Sequence, residues 1–459
     1  MMKANHRKVG LISTMSPDKT WKEDVLKRVA NTHHVVKTAI EKMGFEVLDE
    51  GPIHREYKEM LTAGRNLRAR GINALIIYVG TWTYANCSVS AALEADVPVV
   101  IWGDTNPGTA GLVGSSIVHG AMKEIGVYSW HVYGSLNDEN TLKKIKLHLL
   151  SSCAARGLRG QVLGVGGSRS MGMVTAVCDP NEWRIKFGIE VDGWEQVEVI
   201  DRAEHISEEK AKEFLNWMKK TFGKIIPKDE VILKQIKLYL ALLDIIRDKD
   251  YDFIAVKCLP ELPEIYTTFC LAHAILNDKS DAYGDKESFV CACEADVNGA
   301  LTMQIMKLLS GGPVMFTDLT QYDLKNNLIT MCNCGSQPTD FATSKKEVYW
   351  EKEGVHEFKW RIGGTCPQYV AKEGAVTLAR LGRIKGEYVM MITTGDVVEM
   401  PREKLKETVW ERPHAFVKPR CSQDEFIQNV LSNHIHFVYG DYSKELIEVC
   451  NIMKIKPII

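Results

Sequence analysis

The stretch SFVCACEADVNGALTM, residues 288–303, decides how this chain is read. Its apolar first half reads as a buried strand, and Glu294 and Asp296 stand directly behind it. A carboxylate at that place needs a donor, a counter-charge or a cation. A helix over 299–311 comes next, followed by a second strand, PVMFTDL (313–319), which ends near Asp318. Strand, helix and strand at this spacing imply a parallel crossover, which would bring Glu294 and Asp318 to the same sheet edge. Ligands of α/β folds bind at such edges.

Working outward, the same alternation recurs. KVGLIST (8–14), FEVLDEG (45–51), NALIIYVG (73–80) and PVVIWGD (98–104) are short, apolar and closed by turn residues. Between them lie helix-like segments, one over 21–43 with Val25, Val29, Val35 and Ile40 as apolar positions, and an Ala-rich one over 84–95. This predicts a first doubly wound α/β domain, 1–159. A second cycle takes GQVLGVGG (160–167), EQVEVIDR (195–202), DFIAVKC (252–258), SFVCACE (288–294) and PVMFTDL as strands, predicting a second α/β domain, 160–320. After residue 320 the texture becomes KEVYWEKEG, HEFKWRI, AVTLARLGRIKGEYVMMITTGDVVEM and HAFVKP, alternating strands joined by Gly-containing turns. A C-terminal antiparallel β domain, barrel-like, is expected over 321–459, with a terminal helix over 443–453. The fold class expected is therefore α/β, with two parallel-sheet domains before a β domain.

Composition narrows the function classes. The 459 residues are 45% hydrophobic and 25% charged, with a formal net charge of −2, so the chain is an ordinary globular one with several domains. It has no basic run, which argues against a nucleic-acid or polyanion partner. Neither a signal-peptide core nor an apolar stretch of membrane-spanning length is visible, so a cytoplasmic protein without membrane association is expected. Cys178, Cys258, Cys270 and Cys291 lie in apolar segments, as thiols do in a reducing compartment, and no disulfide is expected.

Two carboxylates facing one cleft repel unless they share a proton or a cation, and a cation is the simpler answer. The densest histidine signal is SNHIHFVYGDY, where His434 and His436 share a face if the segment is extended. Glu294, Asp318 and His434 are the candidate metal ligands, with His436 two residues away as the competitor. Asp296 is the better candidate for capping the next helix. The pairs Cys291-x-Cys293 and Cys332-x-Cys334 lack the C-x-x-C geometry of a zinc knuckle. GVGGSRSMGM (164–173) resembles a phosphate cradle but not a dinucleotide fingerprint. No G-x-S-x-G elbow supports a hydrolase.

CEADVNGALTM, GGPVMFTDL, CNCG (332–335) and NHIHFVYGDY (433–442) together resemble the L-fucose isomerase and L-arabinose isomerase superfamily, in particular its shorter fucose isomerase-like branch. The resemblance runs over most of the chain. It implies two α/β domains and a barrel-like domain, and a divalent cation, usually manganese with magnesium or cobalt as alternatives, held by Glu294, Asp318 and His434. Glu294 and Asp318 would also be the catalytic acid and base. KCLPELPEIY (257–266), GGSRSMGM and GTWTYAN (80–86) are further family-like stretches, and Trp82, Lys257 and Asn433 are the candidate substrate contacts. The position of Trp82 implies an aromatic that reaches a neighbouring subunit's site in a homo-oligomer. The chain is shorter than the hexameric fucose isomerases and its C-terminal region is trimmed, which leaves the sugar unassigned.

The implied reaction is aldose–ketose isomerisation of an open-chain sugar, in which a cation chelating O1 and O2 stabilises an enediolate as a Lewis acid while the carboxylates move protons. A metal-assisted hydride shift would use the same ligands. The competing class is a cytosolic sugar-binding or sugar-sensing protein that closes on its ligand through loop aromatics such as Trp82 and Trp102.

Overall fold

The computed structural model describes residues 7–18, 21–352, 360–408 and 412–459. The chain forms two compact units. One takes the described residues up to Leu158 together with Lys444–Lys454, and the other takes Arg159–Ser443 with Ile455–Ile459.

The first unit is a five-stranded sheet in the order Glu46–Asp49, Lys8–Thr14, Ala74–Val79, Val99–Gly103, Ser129–Tyr133. All its pairings are parallel. Four strands are those expected, and Ser129–Tyr133 adds a fifth. The central strand Ala74–Val79 is buried at every residue, as its continuous apolar run requires. Helix Glu23–Lys42 buries Val29, His33, Val36 and Ile40, a 3.6-residue stripe in which Val36 takes the place expected of Val35. Val35 is exposed. Helix Ala85–Ala95 matches the Ala-rich segment.

The second unit holds a four-stranded parallel sheet in the order Cys291–Cys293, Phe253–Val256, Val162–Gly166, Glu190–Trp194. One expected strand is corrected: EQVEVIDR lies mostly in helix Gln196–Glu204, which buries Val199 and Ala203 four residues apart and leaves Val197 in solvent. The strand of that cycle is the more polar EVDGW just before it.

A second correction bears on function. PVMFTDL does not close the parallel sheet. Met315–Asp323 is a strand of a separate seven-stranded sheet, antiparallel to His434–Tyr439 on one side and to Leu328–Cys332 on the other. That sheet runs Gly374–Ile384, His434–Tyr439, Met315–Asp323, Leu328–Cys332, His414–Pro419, Glu387–Val397, Lys456–Ile458, and its first strand also pairs with Glu387–Val397. The pairing closes a barrel. The closing hairpin turns at Lys385 and Gly386, both with positive φ, the two-residue turn that matches strand twist. Tyr349–Lys352 belongs to a small three-stranded sheet with Thr365–Gln368 and Lys224–Ile225, and the rest of the expected KEVYWEKEG and HEFKWRI strands falls largely outside the described residues. The terminal helix is Ser443–Met453. Among the described residues no helix is long and apolar enough to cross a membrane.

Candidate metal centre

Glu294 leaves the three-residue strand Cys291–Cys293 in a left-handed conformation, φ 60°, and Ala295 follows at 51°. Each such non-Gly residue costs about 1–2 kcal/mol, strain that surrounding structure must hold in place. The double turn lets the chain reverse at once into helix Val297–Ser310, with Asp296 as its N-cap, accepting from the Gly299 amide at 2.9 Å. Glu294 is thereby fixed, buried, at the end of the parallel sheet.

Asp318 and His434 arrive by a different route. They are directly opposite on neighbouring antiparallel strands, so their side chains stand on one face of the barrel sheet. A register shift follows between Leu319 and Gln321. The parallel crossover expected from the sequence is absent. The carboxylates meet because the edge strand of one sheet abuts the barrel within the same unit.

The three residues converge. His434 Nε2 lies 3.3 Å from Glu294 Oε2 and 3.4 Å from Asp318 Oδ1, and one ligand atom from each falls within 4.8 Å of the other two. Asp318 is held from both sides, accepting from Asn333 Nδ2 at Oδ2 and from Asn433 Nδ2 at Oδ1, each at 2.8 Å. On the far side of the imidazole, Nδ1 bonds Asp296 Oδ2 at 2.7 Å. Asp296 in turn takes both terminal nitrogens of Arg380, one at 3.1 Å from Oδ1. Arg380 and Asp296 are both buried. Gly299 makes this approach feasible, since a Cβ there would lie 2.8 Å from Asp296 Oδ2 and 2.9 Å from Arg380.

The electrostatics of this group favour a positive charge among the carboxylates. Burial would lower the His434 pKa, but the hydrogen bond to Asp296 and the Glu294 and Asp318 carboxylates beside the ring outweigh it and push it up to about 10. Burial and the neighbouring Glu294 raise the Asp318 carboxyl, although His434 opposes them. Burial also acts to raise Asp296, yet Arg380 and His434 hold it well below the usual carboxylate range. A divalent cation bound here would supply the charge that a proton on His434 otherwise supplies. The donor set fits one: two carboxylates and one imidazole whose buried Nε2 has no hydrogen-bond partner. The 3.3 and 3.4 Å separations of His434 Nε2 from the two carboxylates are close to the edge of about 3 Å in an octahedron with 2.1 Å bonds. Oxygen-rich ligation with a single nitrogen suits manganese or magnesium better than zinc.

His436 does not join this group. It stands on the same face, its ring 4.9 Å from Phe316, but its Nε2 lies 3.3 Å from Arg380. Burial and that guanidinium hold its pKa well below the ordinary value. Lys257 follows strand Phe253–Val256 and pairs with Glu261 at 2.8 Å, beside Gly167 of the glycine-rich loop. Trp82 belongs to the other unit, in the loop after Ala74–Val79, half-exposed with its ring 5.4 Å from that of Tyr84. Asn433, expected against substrate, bonds Asp318. Asn333, Arg380 and the bond between Asp296 and His434 were not anticipated. Their clearest signal was an arginine inside the apolar run TLARLG, a charge that must find a buried partner.

The comparisons with known proteins agree with this architecture. The model of the L-fucose isomerase first N-terminal domain matches residues 7–160, and that of the L-fucose isomerase C-terminal domain matches 331–459. A sulfoquinovose isomerase of Alkalicoccus urumqiensis is 22% identical, covering 81% of this chain and 82% of its own length. Another from Clostridium sp. (strain MSTE9) is 23% identical over 83% and 85%. An L-fucose isomerase of Bacteroides fragilis (strain YCH46) is 24% identical over 89% and 84%. With matching domains at both ends and relatives aligned along most of its length, the chain belongs to the L-fucose isomerase family of aldose–ketose isomerases.

Proposed function

We propose that this chain is a divalent-metal-dependent isomerase that interconverts an open-chain aldose and its ketose, with manganese as the preferred cation. The observation that carries the reading is the convergence of Glu294, Asp318 and His434, whose Nε2 is buried without a hydrogen-bond partner. The relatives' names point to six-carbon substrates with an unusual C6, a deoxy group or a sulfonate.

A divalent cation held by Glu294, Asp318 and His434 would supply Lewis-acid stabilisation of negative charge developing on the sugar's oxygens. The chain's residues do the rest. Glu294 and Asp318 each keep an oxygen to take or return a proton, one at carbon and one at a hydroxyl. Asn333 and Asn433 fix the plane of the Asp318 carboxylate, and the left-handed turn fixes that of Glu294. Asp296, anchored by Arg380, keeps the Nδ1 proton on His434 and directs Nε2 at the carboxylates. Lys257 and Asn433 are proposed to contact the sugar's hydroxyls. Trp82 is proposed to cover the apolar face of a sugar bound by a neighbouring subunit in a cytoplasmic homo-oligomer.

The test is ketose formation from L-fucose, D-arabinose, L-arabinose and sulfoquinovose, run with and without manganese. Solvent deuterium appearing at C1 of the product ketose supports proton transfer, and its absence under turnover supports a hydride shift. Glu294→Gln should abolish turnover while leaving the melting temperature close to that of the parent. Turnover retained above a few per cent removes Glu294 from the mechanism. Sugar binding without turnover under all these conditions returns the binding-protein reading.

A further inference from the structure

Beside Glu294 lies a second group of ligand-type atoms that the isomerase reading does not use. The Sγ atoms of Cys293 and Cys334 are 3.6 Å apart, both thiols are buried, and a Glu294 carboxylate oxygen lies within 4.8 Å of each. Cys293 comes from the parallel sheet and Cys334 from the segment after barrel strand Leu328–Cys332. Cys270 reaches the Cys334 carbonyl at 3.1 Å, and a Cβ on Gly335, whose φ is 105°, would lie 2.3 Å from Cys366 Cβ. The thiols are therefore gathered into one tight layer next to the carboxylates.

The sulfur separation is informative. A tetrahedral cation with metal–sulfur bonds of about 2.3 Å places two thiolates about 3.8 Å apart. A disulfide requires about 2.05 Å. The observed 3.6 Å is that of a thiol–thiol contact, far from a disulfide, and one tetrahedral cation could reach both sulfurs with little movement of either. We propose that Cys293, Cys334 and Glu294 form a binding site for a thiophilic divalent cation such as zinc or cadmium, overlapping the oxygen-rich site through their shared glutamate. Each thiol passes its proton to solvent as its sulfur becomes a ligand. The two sites separate cations by softness: two sulfurs and one oxygen on one side, two oxygens and one nitrogen on the other. A cation captured by the thiols draws Glu294 away from Asp318 and His434, and manganese is released. The site itself does not depend on the proposed reaction, but its inhibitory consequence does.

The full-length protein is titrated with cadmium chloride while the ultraviolet sulfur-to-cadmium charge-transfer band is followed, and free manganese is read by electron paramagnetic resonance. The expected result is a band that saturates at one equivalent, with one manganese released per cadmium bound. The band is expected to vanish in Cys293→Ser and in Cys334→Ser, and to persist in the Cys178→Ser/Cys421→Ser control, which removes the two partly exposed cysteines. A band of full strength in either active-site serine variant overturns the proposal, as does cadmium binding without a band. Should both serine variants fail to fold, Glu294→Gln decides: a band that requires about 10-fold or more cadmium supports the shared carboxylate, and an unchanged midpoint overturns it. A cadmium band in a protein that never binds manganese leaves the thiol site standing and defeats the isomerase reading. Manganese-dependent turnover without any band does the reverse.

Discussion

Asp296→Asn is the most informative single change in the second unit. Asparagine preserves the shape and the helix cap on Gly299, which Asn supplies as well as Asp does. What it removes is the charge that Arg380 needs. The guanidinium is 1% exposed and its two terminal nitrogens both bond Asp296, so the variant strands a cation in the interior. Breaking one side of a buried pair costs about 3–5 kcal/mol. For a unit of about 290 residues, an unfolding entropy of about 2.1 cal/mol/K per residue gives about 0.6 kcal/mol per degree. The melting transition of that unit should therefore fall by about 5–8 °C in calorimetry. The charge is at fault, so removing both partners should restore most of the loss: Asp296→Asn/Arg380→Met should melt above Asp296→Asn alone. Acidification supplies an independent arm. The folded carboxyl titrates far below its unfolded value, so its contribution is complete above about pH 4 and is lost as pH falls below that. The wild type should lose this increment in acid and Asp296→Asn should not. A double variant whose loss equals the sum of the singles would refute the reasoning.

Three further outcomes follow from the same structure. His434→Ala should weaken manganese binding by about 100-fold or more in calorimetric titration, and His436→Ala by less than about 10-fold; the reverse order would move the ligand to His436. Trp82→Ala should cut turnover of the assembled protein with little change in manganese affinity, and undiminished turnover would remove the indole from the shared site. His33, buried on helix Glu23–Lys42 with Nδ1 2.8 Å from Ser13 Oγ, has its pKa lowered to about 4 by burial despite Asp49 3.8 Å away. Only the unfolded chain binds its proton between about pH 6.5 and 4, so its contribution is complete above 6.5 and falls by about 3 kcal/mol across that window. His33→Gln should flatten the pH dependence of the first unit's melting there, and an unchanged slope would count against the burial argument.

Four strands of the first unit were legible because each is a short apolar run bounded by turn residues. Ser129–Tyr133 escaped because its residues are mostly half-buried or exposed, as at a sheet edge. EQVEVIDR misled through its alternating valines. The true strand, EVDGW, is polar and sits at an edge of the second unit's parallel sheet, where burial imposes little pattern. The strand signal in PVMFTDL was correct, but its sheet was not legible, since that depends on pairing with His434–Tyr439 more than 100 residues away. The ligand residues could be named on a mistaken topology because strand-end acidic residues and a histidine pair are local signals. The asparagines that hold Asp318 depend on non-local contacts that no local pattern encodes, and the arginine in TLARLG signals a buried partner without naming Asp296.

The two halves of the centre are positioned by different physics, and this sets how each can fail. Glu294 is aimed by two consecutive left-handed residues, so its orientation rests on local strain that packing of helix Val297–Ser310 must sustain. Asp318 and His434 are aimed by register. A slip of one residue between their strands would turn one of them to the opposite face of the sheet. The barrel resists such a slip because it is closed: moving His434–Tyr439 against Met315–Asp323 would also break its pairing with Gly374–Ile384, the strand that carries Arg380. The register that brings His434 opposite Asp318 thus also brings Arg380 beneath Asp296. A ligand and the charge that orients it are specified by one set of strand pairings.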